Sequence, residues 1–377
     1  MFYNIKSKVL LNAKNIPGWK TERKIIVFSV DDFGNVRLHS SQARSKMNKA
    51  GMKIFSRFDV FDSLETRQDL SSLYDTLNAV KDKQGRPAVF TAFAMPCNID
   101  FEKMQHEGNK EYHSELLPIT YEKLSIMDAN AYQGTWKLWQ EGINKGLMAP
   151  QFHGREHLNL KVFQEKLKEK SPELFTALRN RSYTSISSSG YATISWPAAF
   201  DFWDYSENQA FSSIIEDGLN MFEQVFGYRA TNFTPPVYNC HPTNYPALEK
   251  GGIKFIDTAL IHKEHVGMGR YKRKFNFTGK EATDGQKFIV RNVVFEPGDD
   301  RGIDWVSYAI QQIDAAFRWN HPAIISSHRV NFCGYINENN RNTGITALSS
   351  LLKKIVEKWP EVEFMAANEL ADIIAGK

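Results

Sequence analysis

IIVFSVDDFG, at residues 25–34, is the stretch that decides the fold. Its first four residues are apolar and mostly β-branched, which is typical of a buried strand, and Asp31 and Asp32 follow where that strand should end. Parallel α/β proteins carry their chemistry at the carboxyl ends of the strands. The stretch therefore predicts one strand of an α/β fold and, at its end, two carboxylates of a functional site.

Further segments have the composition of short buried strands, and amphipathic helical patterns separate them. The strands are predicted at Lys24–Val30, Ala88–Ala94, Met148–His153, Ala230–Thr234, Lys254–Ala259, Lys287–Phe295, Ala323–Ser327 and Val362–Ala366. The helices are predicted at Leu64–Lys83, Thr120–Lys145, Asp304–Trp319 (with Asp304 as the N-cap) and Thr343–Lys358. This alternation, repeated seven or eight times, predicts an α/β barrel or a doubly wound sheet.

No repeat, low-complexity tract or linker divides the chain, so a single elaborated domain is predicted over residues 1–377. Its core is expected over about residues 24–370. Two segments, at about residues 97–149 and 181–228, are longer than simple connections require. Long insertions at the catalytic face usually shape substrate access, and we expect that role for both.

Composition excludes several classes of protein. The net charge is +4 with scattered basic residues, so neither a nucleic-acid arm nor a polybasic membrane patch is predicted. No run approaches the roughly 18 apolar residues of a membrane span, and the N-terminus lacks the apolar stretch of a signal peptide. The three cysteines are far apart and odd in number, which fits a reducing compartment. We therefore expect a cytoplasmic enzyme without membrane insertion, whose oligomeric state the sequence leaves open.

A second motif, His153-Gly154-Arg155-Glu156-His157, places two imidazoles four residues apart. In a helical turn both rings would lie on one face and reach one ion. One Asp and two His form a three-ligand set that leaves positions open for water and substrate, which marks a catalytic metal site. The competing interpretations are a turn or helix N-cap for the Asp pair and a surface helix with two incidental histidines.

His328 follows the apolar run Ala323–Ser327, at the end of another predicted strand. A buried histidine bonded to the backbone is the plain interpretation of such a residue. An imidazole near neutral pH also suits the donation of a proton to a leaving group, which a hydrolytic site requires. His328 is therefore a candidate general acid.

These motifs, in this order, resemble those of the polysaccharide deacetylase family (NodB-like, carbohydrate esterase family 4). Ser29–Gly34 is similar to the family's T-F-D-D-G motif, and His153–His157 to H-[ST]-x-x-H, with Gly154 at the Ser/Thr position. Ser326–His328 is similar to L-x-H, with Ser326 in place of the Leu that lines the acetyl pocket. The family fold that this resemblance implies is an incomplete or distorted (β/α) barrel of seven to eight strands, here with two long insertions.

The resemblance also implies a role for each of these residues. Asp31 would be the general base and His328 the catalytic acid, on opposite sides of the scissile bond. Asp32, His153 and His157 would hold one divalent metal, with zinc expected and iron, cobalt or nickel as alternatives.

The middle motifs of the family are less complete. Thr234-Pro235-Pro236-Val237-Tyr238 stands where the family has R-x-P-[YF], so the Arg that orients the base is missing. Arg291 and Arg155 are the candidates to replace it. A backbone N–H near Tyr238 is a candidate oxyanion donor. Asp300–Trp305 is similar to D-x-x-D-W but is one residue longer.

Substrate contacts are expected from aromatic rings, which stack on sugar faces. Trp305 corresponds to a groove wall in the family. Several rings also crowd the second insertion: Trp196, Phe200, Phe202, Trp203 and Tyr205. The competing interpretation is that these rings pack a small core of the insertion itself.

The implied function is metal-assisted removal of an acyl group, acetyl by resemblance, from an N- or O-acylated sugar or glycan. The DDFG string also resembles the YdjC-like sugar deacetylases, whose chemistry is similar. Two alternatives stay open: a metal-dependent amidase acting on a non-sugar C–N bond, and a non-catalytic carbohydrate-binding protein with a decayed site. The presence of all five candidate side chains argues against the second alternative.

Overall fold

The computed structural model describes residues 9–187, 194–282 and 285–376. Residues 188–193 of the second predicted insertion therefore lie outside the described residues. The described part contains a nine-stranded, wholly parallel sheet with helices around it. Its strands are β1 (Ile25–Phe33), β2 (Phe90–Ala94), β5 (Gln151–Phe152), β6 (Asn232–Phe233), β7 (Phe255–Asp257), β10 (Lys287–Ile289), β11 (Val293–Val294), β12 (Ala323–His328) and β13 (Glu363–Met365).

The sheet curls into an incomplete (β/α) barrel, which confirms the predicted fold class. The strand order is β10-β7-β6-β5-β2-β1-β12-β11, and β13 pairs with the first residues of β1. The two end strands, β10 and β11, are consecutive parts of one extended segment, joined by residues 290–292. The first part pairs with β7 and the second with β12, so the segment predicted as one strand at Lys287–Phe295 connects the two edges of the sheet.

The alternation of side chains along β1 separates an inner face from an outer face. Ile25 and Val27 pack in a cluster with residues of β2, β7, β10, β12 and β13, and with the last helix of the chain (Ala367–Ile374). Ile26, Phe28 and Val30 pack in the larger cluster formed with the surrounding helices. The last helix therefore fills the inside of the curved sheet. Burial on both faces explains why the strand sequence is a continuous apolar run.

The helices surround the sheet, and all except the last lie on its outer side. In chain order they are α1 (Ser41–Lys49), α2 (Arg57–Phe61), α3 (Arg67–Asn78), α4 (Phe101–His106), α5 (Leu117–Met127), α6 (Ala129–Tyr132), α7 (Thr135–Asn144), α8 (Leu160–Lys168), α9 (Pro172–Arg179), α10 (Asn208–Phe226), α11 (Tyr245–Lys250), α12 (Trp305–Arg318), α13 (Glu338–Lys358) and α14 (Ala367–Ile374). Asp304 caps α12 as predicted, because its side chain accepts a hydrogen bond from the N–H of Ser307.

One segment predicted as a single helix is divided into three helices in the structure. The segment Thr120–Lys145 forms part of α5 and all of α6 and α7 rather than a single helix. Asp128 ends α5 and its side chain caps α6, and Gly134 adopts a left-handed conformation with φ 78° before α7. A side chain that bonds its own backbone and a glycine with positive φ both interrupt a helical pattern that periodicity alone does not exclude.

Two small antiparallel sheets stand apart from the barrel. β3 (Cys97–Ile99) pairs with β4 (Ser114–Leu116) in the first insertion, and β8 (Ile261–His265) pairs with β9 (Tyr271–Phe275) after β7. Single-turn 3₁₀ helices lie at Tyr205–Glu207, Pro236–Tyr238, Pro242–Asn244 and Arg329–Phe332. Within the described ranges, no helix combines the length and the apolarity needed to cross a membrane.

Gly34, directly after β1, holds the end of this strand against β2. Its φ is 77°, and a Cβ at this position would lie 2.7 Å from the carbonyl oxygen of Met95. We expect Gly34→Ala to lower the free energy of unfolding by roughly 1–3 kcal/mol, because strain and a backbone clash add together. Gly85 is the matched control: its φ is also 77°, but nothing lies within 4 Å of its Cβ position. Urea unfolding would contradict this account if Gly34→Ala and Gly85→Ala were equally stable.

Candidate active site

A bulge at the end of β1 places both carboxylates at one site. The pairing of β1 with β2 shifts its register between Val30 and Phe33, and Asp32 has a positive φ of 74°. Alternation alone would put Asp31 and Asp32 on opposite faces of the sheet. The bulge turns Asp32 back toward the cleft, which is a recurrent use of bulges next to active sites.

Asp32, His153 and His157 converge as predicted for a metal site. The Nε2 atoms of His153 and His157 lie 3.3 Å and 3.1 Å from the same oxygen, Oδ1 of Asp32. All three side chains are buried, and their ligand atoms lie within 4.8 Å of one another. Ligand atoms about 3 Å apart suit an ion with bonds of about 2.0–2.2 Å to nitrogen and oxygen. The residues present therefore fit one divalent ion.

The electrostatics of the three residues support this fit. Burial alone would raise the pKa of Asp32, but the imidazoles of His157 and His153 lower it well below its ordinary value. Burial lowers the pKa of His157, which favours the neutral ring that binds a metal. The Nδ1 atom of His153 lies 2.7 Å from the carbonyl oxygen of Thr234, so its Nδ1–H donates there and leaves the lone pair of Nε2 facing Asp32.

The two histidines do not lie on a helical turn, contrary to one premise of the sequence analysis. Residues 153–159 form the loop between β5 and α8, and Asn159 caps α8. Gly154 has φ 108°, a conformation that L side chains rarely adopt. This backbone explains why glycine stands where the resembling family has Ser or Thr. The loop, rather than a helix face, brings both rings to Asp32.

Asp31 faces Arg291, one of the two arginines considered for its partner. The guanidinium donates two hydrogen bonds to Asp31, at 2.6 Å and 2.7 Å, and a third from Nε to Asp257 at 2.7 Å. Its Nη2 also donates to the hydroxyl of Thr234 at 2.7 Å. Burial would lower the pKa of Arg291, but Asp31 and Asp257 raise it well above its ordinary value. The guanidinium therefore stays charged and fixes the orientation of Asp31.

His328 lies beside Asp31 on the neighbouring strand, in direct register with it. Its Nδ1 is 2.6 Å from Oε1 of Glu296, and its Nε2 is 3.9 Å from Oδ2 of Asp31. Burial lowers the pKa of His328, but Glu296, Asp32 and Asp31 outweigh it and raise this pKa to about 9. Arg57 and Asn331 bind the other oxygen of Glu296. The imidazole is therefore protonated at neutral pH and held by a buried carboxylate.

The short distance between Asp31 and His328 corrects one expectation. Their facing atoms are 3.9 Å apart, which is too close for a scissile bond to lie between them. The predicted arrangement on opposite sides of the bond is therefore absent from this structure. Both groups instead border the same cleft, from neighbouring strands.

The metal ligands, Asp31 and His328 line a cleft of about 270 Å³. Asp31, Asp32, His153, His157, Thr234 and His328 form its chemical end, and the remaining lining residues are Arg37, Phe58, Pro197, Pro235, Val237 and Tyr238. Tyr238 lies in the cleft as predicted, but its backbone N–H donates to the carbonyl of Pro235 at 2.8 Å. That N–H is therefore not free to hold an oxyanion.

Two predicted site residues, Arg155 and Trp305, lie outside the cleft. Arg155 binds Glu156 and Asp217, each at 2.6 Å, and does not contact Asp31. Trp305 is 5% exposed within the main core, where it packs against Tyr308. Burial in the core removes Trp305 as a stacking surface. The insertion rings Trp196, Phe200 and Phe202 are buried as well, but in clusters shared with the barrel rather than in a core of the insertion itself. Tyr205, in contrast, is 53% exposed.

Sequence reasoning missed three groups that contact the site. Glu296 directly follows the predicted strand Lys287–Phe295, so the strand end gave a usable signal for it. Asp257 lies within the predicted strand Lys254–Ala259 and ends β7 only in the structure. Arg37 follows the DDFG stretch by three residues and stacks over Phe58, with its Nε buried and without a hydrogen-bond partner among the described residues. No sequence pattern pointed to Arg37.

Comparisons with known proteins add similar folds without assigning a function. Scans against descriptions of protein families and against curated proteins found no match. Two solved structures are described as polysaccharide deacetylases: one from Mycobacterium smegmatis (9% identity, TM-score 0.47, 96% of this chain and 93% of that chain) and one from Pseudomonas aeruginosa PAO1 (9%, 0.46, 93% and 91%). A third is a 4-alpha-glucanotransferase from Thermococcus litoralis (9%, 0.47, 93% and 40%). Such low identities and TM-scores below 0.5 carry no argument about the chemistry of this chain.

Proposed function

We propose that this chain is a metal-dependent hydrolase that removes an acyl group, acetyl in the first instance, from an N- or O-acylated sugar or glycan. The observation that carries the proposal is the convergence of Asp32, His153 and His157 in one cleft, next to Asp31 held by Arg291 and His328 held by Glu296. Metal ligands, a fixed carboxylate and a protonated imidazole are together the parts that acyl hydrolysis requires.

Each side chain has a distinct task in this proposal. Asp32, His153 and His157 would hold the ion, which when bound supplies Lewis acidity that polarises a carbonyl group. Asp31 accepts a proton from water, and the two hydrogen bonds from Arg291 orient its carboxylate for that transfer. His328 gives a proton to the departing nitrogen or oxygen. Because Asp31 and His328 are neighbours, one region of the cleft serves both transfers.

The pKa of His328 predicts the alkaline limit of the reaction. A donor with a pKa of about 9 is protonated below that pH, so the rate should fall as pH rises through about 9. Glu296→Gln removes a carboxylate that raises this pKa, so the fall should move to lower pH. The measurement is kcat/KM against pH with the acylated sugar or amide that the acyl-release screen identifies, because its leaving amine or alkoxide needs a proton from the acid. An unchanged alkaline limb in Glu296→Gln would remove His328 from the role of acid.

The test of the proposed function is a screen for acyl release by protein whose metal content has been measured. The substrates are N-acetylated amino sugars, O-acetylated sugars and small non-sugar N-acyl amides, each with metal-stripped protein as the control. We expect metal-dependent acetate release from at least one class of acetylated sugar. A metal-loaded protein that releases acetate from no substrate would contradict the proposal.

The amidase alternative has one observation in its favour. Among the described residues, no tryptophan ring lines the cleft, whereas the cation of Arg37 lies in it with the metal ligands. A guanidinium in the wall of the cleft, here 3.7 Å from Asp59, suits a substrate that carries a carboxylate or another anion. Release from small anionic amides without any release from acetylated sugars would make this second candidate the function.

A further inference from the structure

The hairpin formed by β8, β9 and their connecting residues 266–270 has no role in the site described above. Its two strands pair only with each other among the described strands. It begins four residues after Asp257, the partner of Arg291, so it lies at the end of the barrel that carries the cleft. Its tip is anchored: the N–H of Met268 donates to the carbonyl of Trp203 at 2.7 Å, and the ring of His265 stacks between Phe202 and Tyr271.

The hairpin concentrates positive charge. Residues 261–275 contain five Lys or Arg and one Glu, so their formal charge of +4 equals that of the whole chain. Lys274 lies 3.6 Å from Glu264, whereas the other four basic groups have no carboxylate within 4.0 Å among the described residues. The expectation that basic residues are scattered is therefore wrong at this place. That expectation overlooked that only six residues separate Lys263 from Arg270, so both belong to one hairpin.

One face of the hairpin places cations next to large apolar side chains. Lys263 stands directly opposite Arg273, and Ile261 directly opposite Phe275, and alternation puts both pairs on the same face. Like charges directly opposite each other are unfavourable unless an anion lies between them. Ile261 is 61% exposed and Phe275 53%, and Met268 at the tip is 58% exposed. This combination of exposed apolar and cationic groups marks an interaction surface.

We propose that this face binds the surface of an anionic lipid bilayer. Lys263, Arg273 and their basic neighbours would meet lipid phosphates, while Ile261, Phe275 and Met268 would enter the boundary between headgroups and acyl chains. A nucleic acid would use the charges but leave the apolar pair exposed to water. A second copy of this face is disfavoured because Lys263 and Arg273 would meet the same two cations of the other copy. Binding would bring the cleft end of the barrel to the membrane surface.

The experiment is co-sedimentation of the full chain with vesicles of phosphatidylcholine, either alone or mixed with phosphatidylglycerol. We expect partition onto the mixed vesicles only, weakened by salt. Two double variants should each lower this partition by roughly tenfold or more: Lys263→Glu with Arg273→Glu, and Ile261→Ser with Phe275→Ser. Matched controls make the same changes elsewhere: Lys353→Glu with Lys354→Glu on α13, and Ile126→Ser, whose side chain is 86% exposed.

The outcomes separate the proposal from its rivals. Equal loss in the controls, or no binding to mixed vesicles by the native chain, would overturn it. Full binding by the variant with Ile261→Ser and Phe275→Ser would also overturn the proposal. Binding through charge alone would show that the face is a site for polyanions in general and not for a lipid bilayer. The assay requires neither metal nor substrate, so its result is independent of the proposed hydrolase activity.

Discussion

Asp31→Asn should lower kcat by roughly 10²–10⁴-fold while leaving one metal ion per chain, because this change removes the general base but none of the three metal ligands. Arg291 would lose the charge of one partner and keep Asp257. Thermal unfolding of the variant therefore belongs to the measurement, since a broken buried ion pair lowers stability as well. The substrate is the one that the acyl-release screen identifies, or p-nitrophenyl acetate.

Asp217→Asn is the matched control for Asp31→Asn. It also removes a carboxylate bound to an arginine, 2.6 Å from Arg155, but Asp217 is outside the cleft. We expect its kcat to stay within about twofold of the native value, as for ordinary surface changes. A folded, metal-loaded Asp31→Asn variant with native kcat would remove Asp31 from the mechanism.

Asp32→Asn should reduce the metal content from one ion per chain to none and abolish turnover. The change removes the carboxylate oxygen on which both imidazoles converge and leaves only two neutral ligands. Elemental analysis after dialysis against zinc is the measurement. Retention of one ion per chain by this variant would show that the ion is bound elsewhere.

The second cluster of acidic groups supplies a control for Asp32→Asn. Asp100, Glu102 and Glu115 also place three carboxylates close together, but Lys123 lies among them, 2.7 Å from Asp100 and 3.1 Å from Glu102. The ammonium of Lys123, with Arg181 paired to Glu102, already occupies these carboxylates. We therefore expect Asp100→Asn to leave the metal content unchanged.

The parts of the fold and site that depend on local signals were predictable from the sequence. Apolar, β-branched runs predicted the barrel strands to within a few residues. The rule that catalytic residues lie at the carboxyl ends of strands predicted that Asp31, Asp32, His153 and His328 belong to one site. These patterns depend only on residues that are close in sequence, so they can be recognised without knowing how the chain packs. The incomplete barrel itself came from the resemblance to a family, and the structure confirms it.

The parts that depend on long-range register were not predictable. Arg291 is 260 residues from Asp31 in sequence. Its selection over Arg155 requires knowing that the segment between β10 and β11 brings this side chain to the end of β1. Trp305 is buried because α12 packs against the main core. The motif Asp300–Trp305 does not reveal this packing. The bulge at Asp32 and the loop at Gly154 are backbone conformations that a spacing rule for helices cannot supply.

Anomalous diffraction from crystals grown with zinc tests the central claim most directly. The account predicts one peak in the cleft, about 2.0–2.2 Å from Oδ1 of Asp32 and from the Nε2 atoms of His153 and His157. It also predicts that Asp31 remains bound to Arg291 and makes no bond to the ion. A crystal with zinc bound elsewhere and no peak among these three residues would contradict the metal site and the hydrolase built on it.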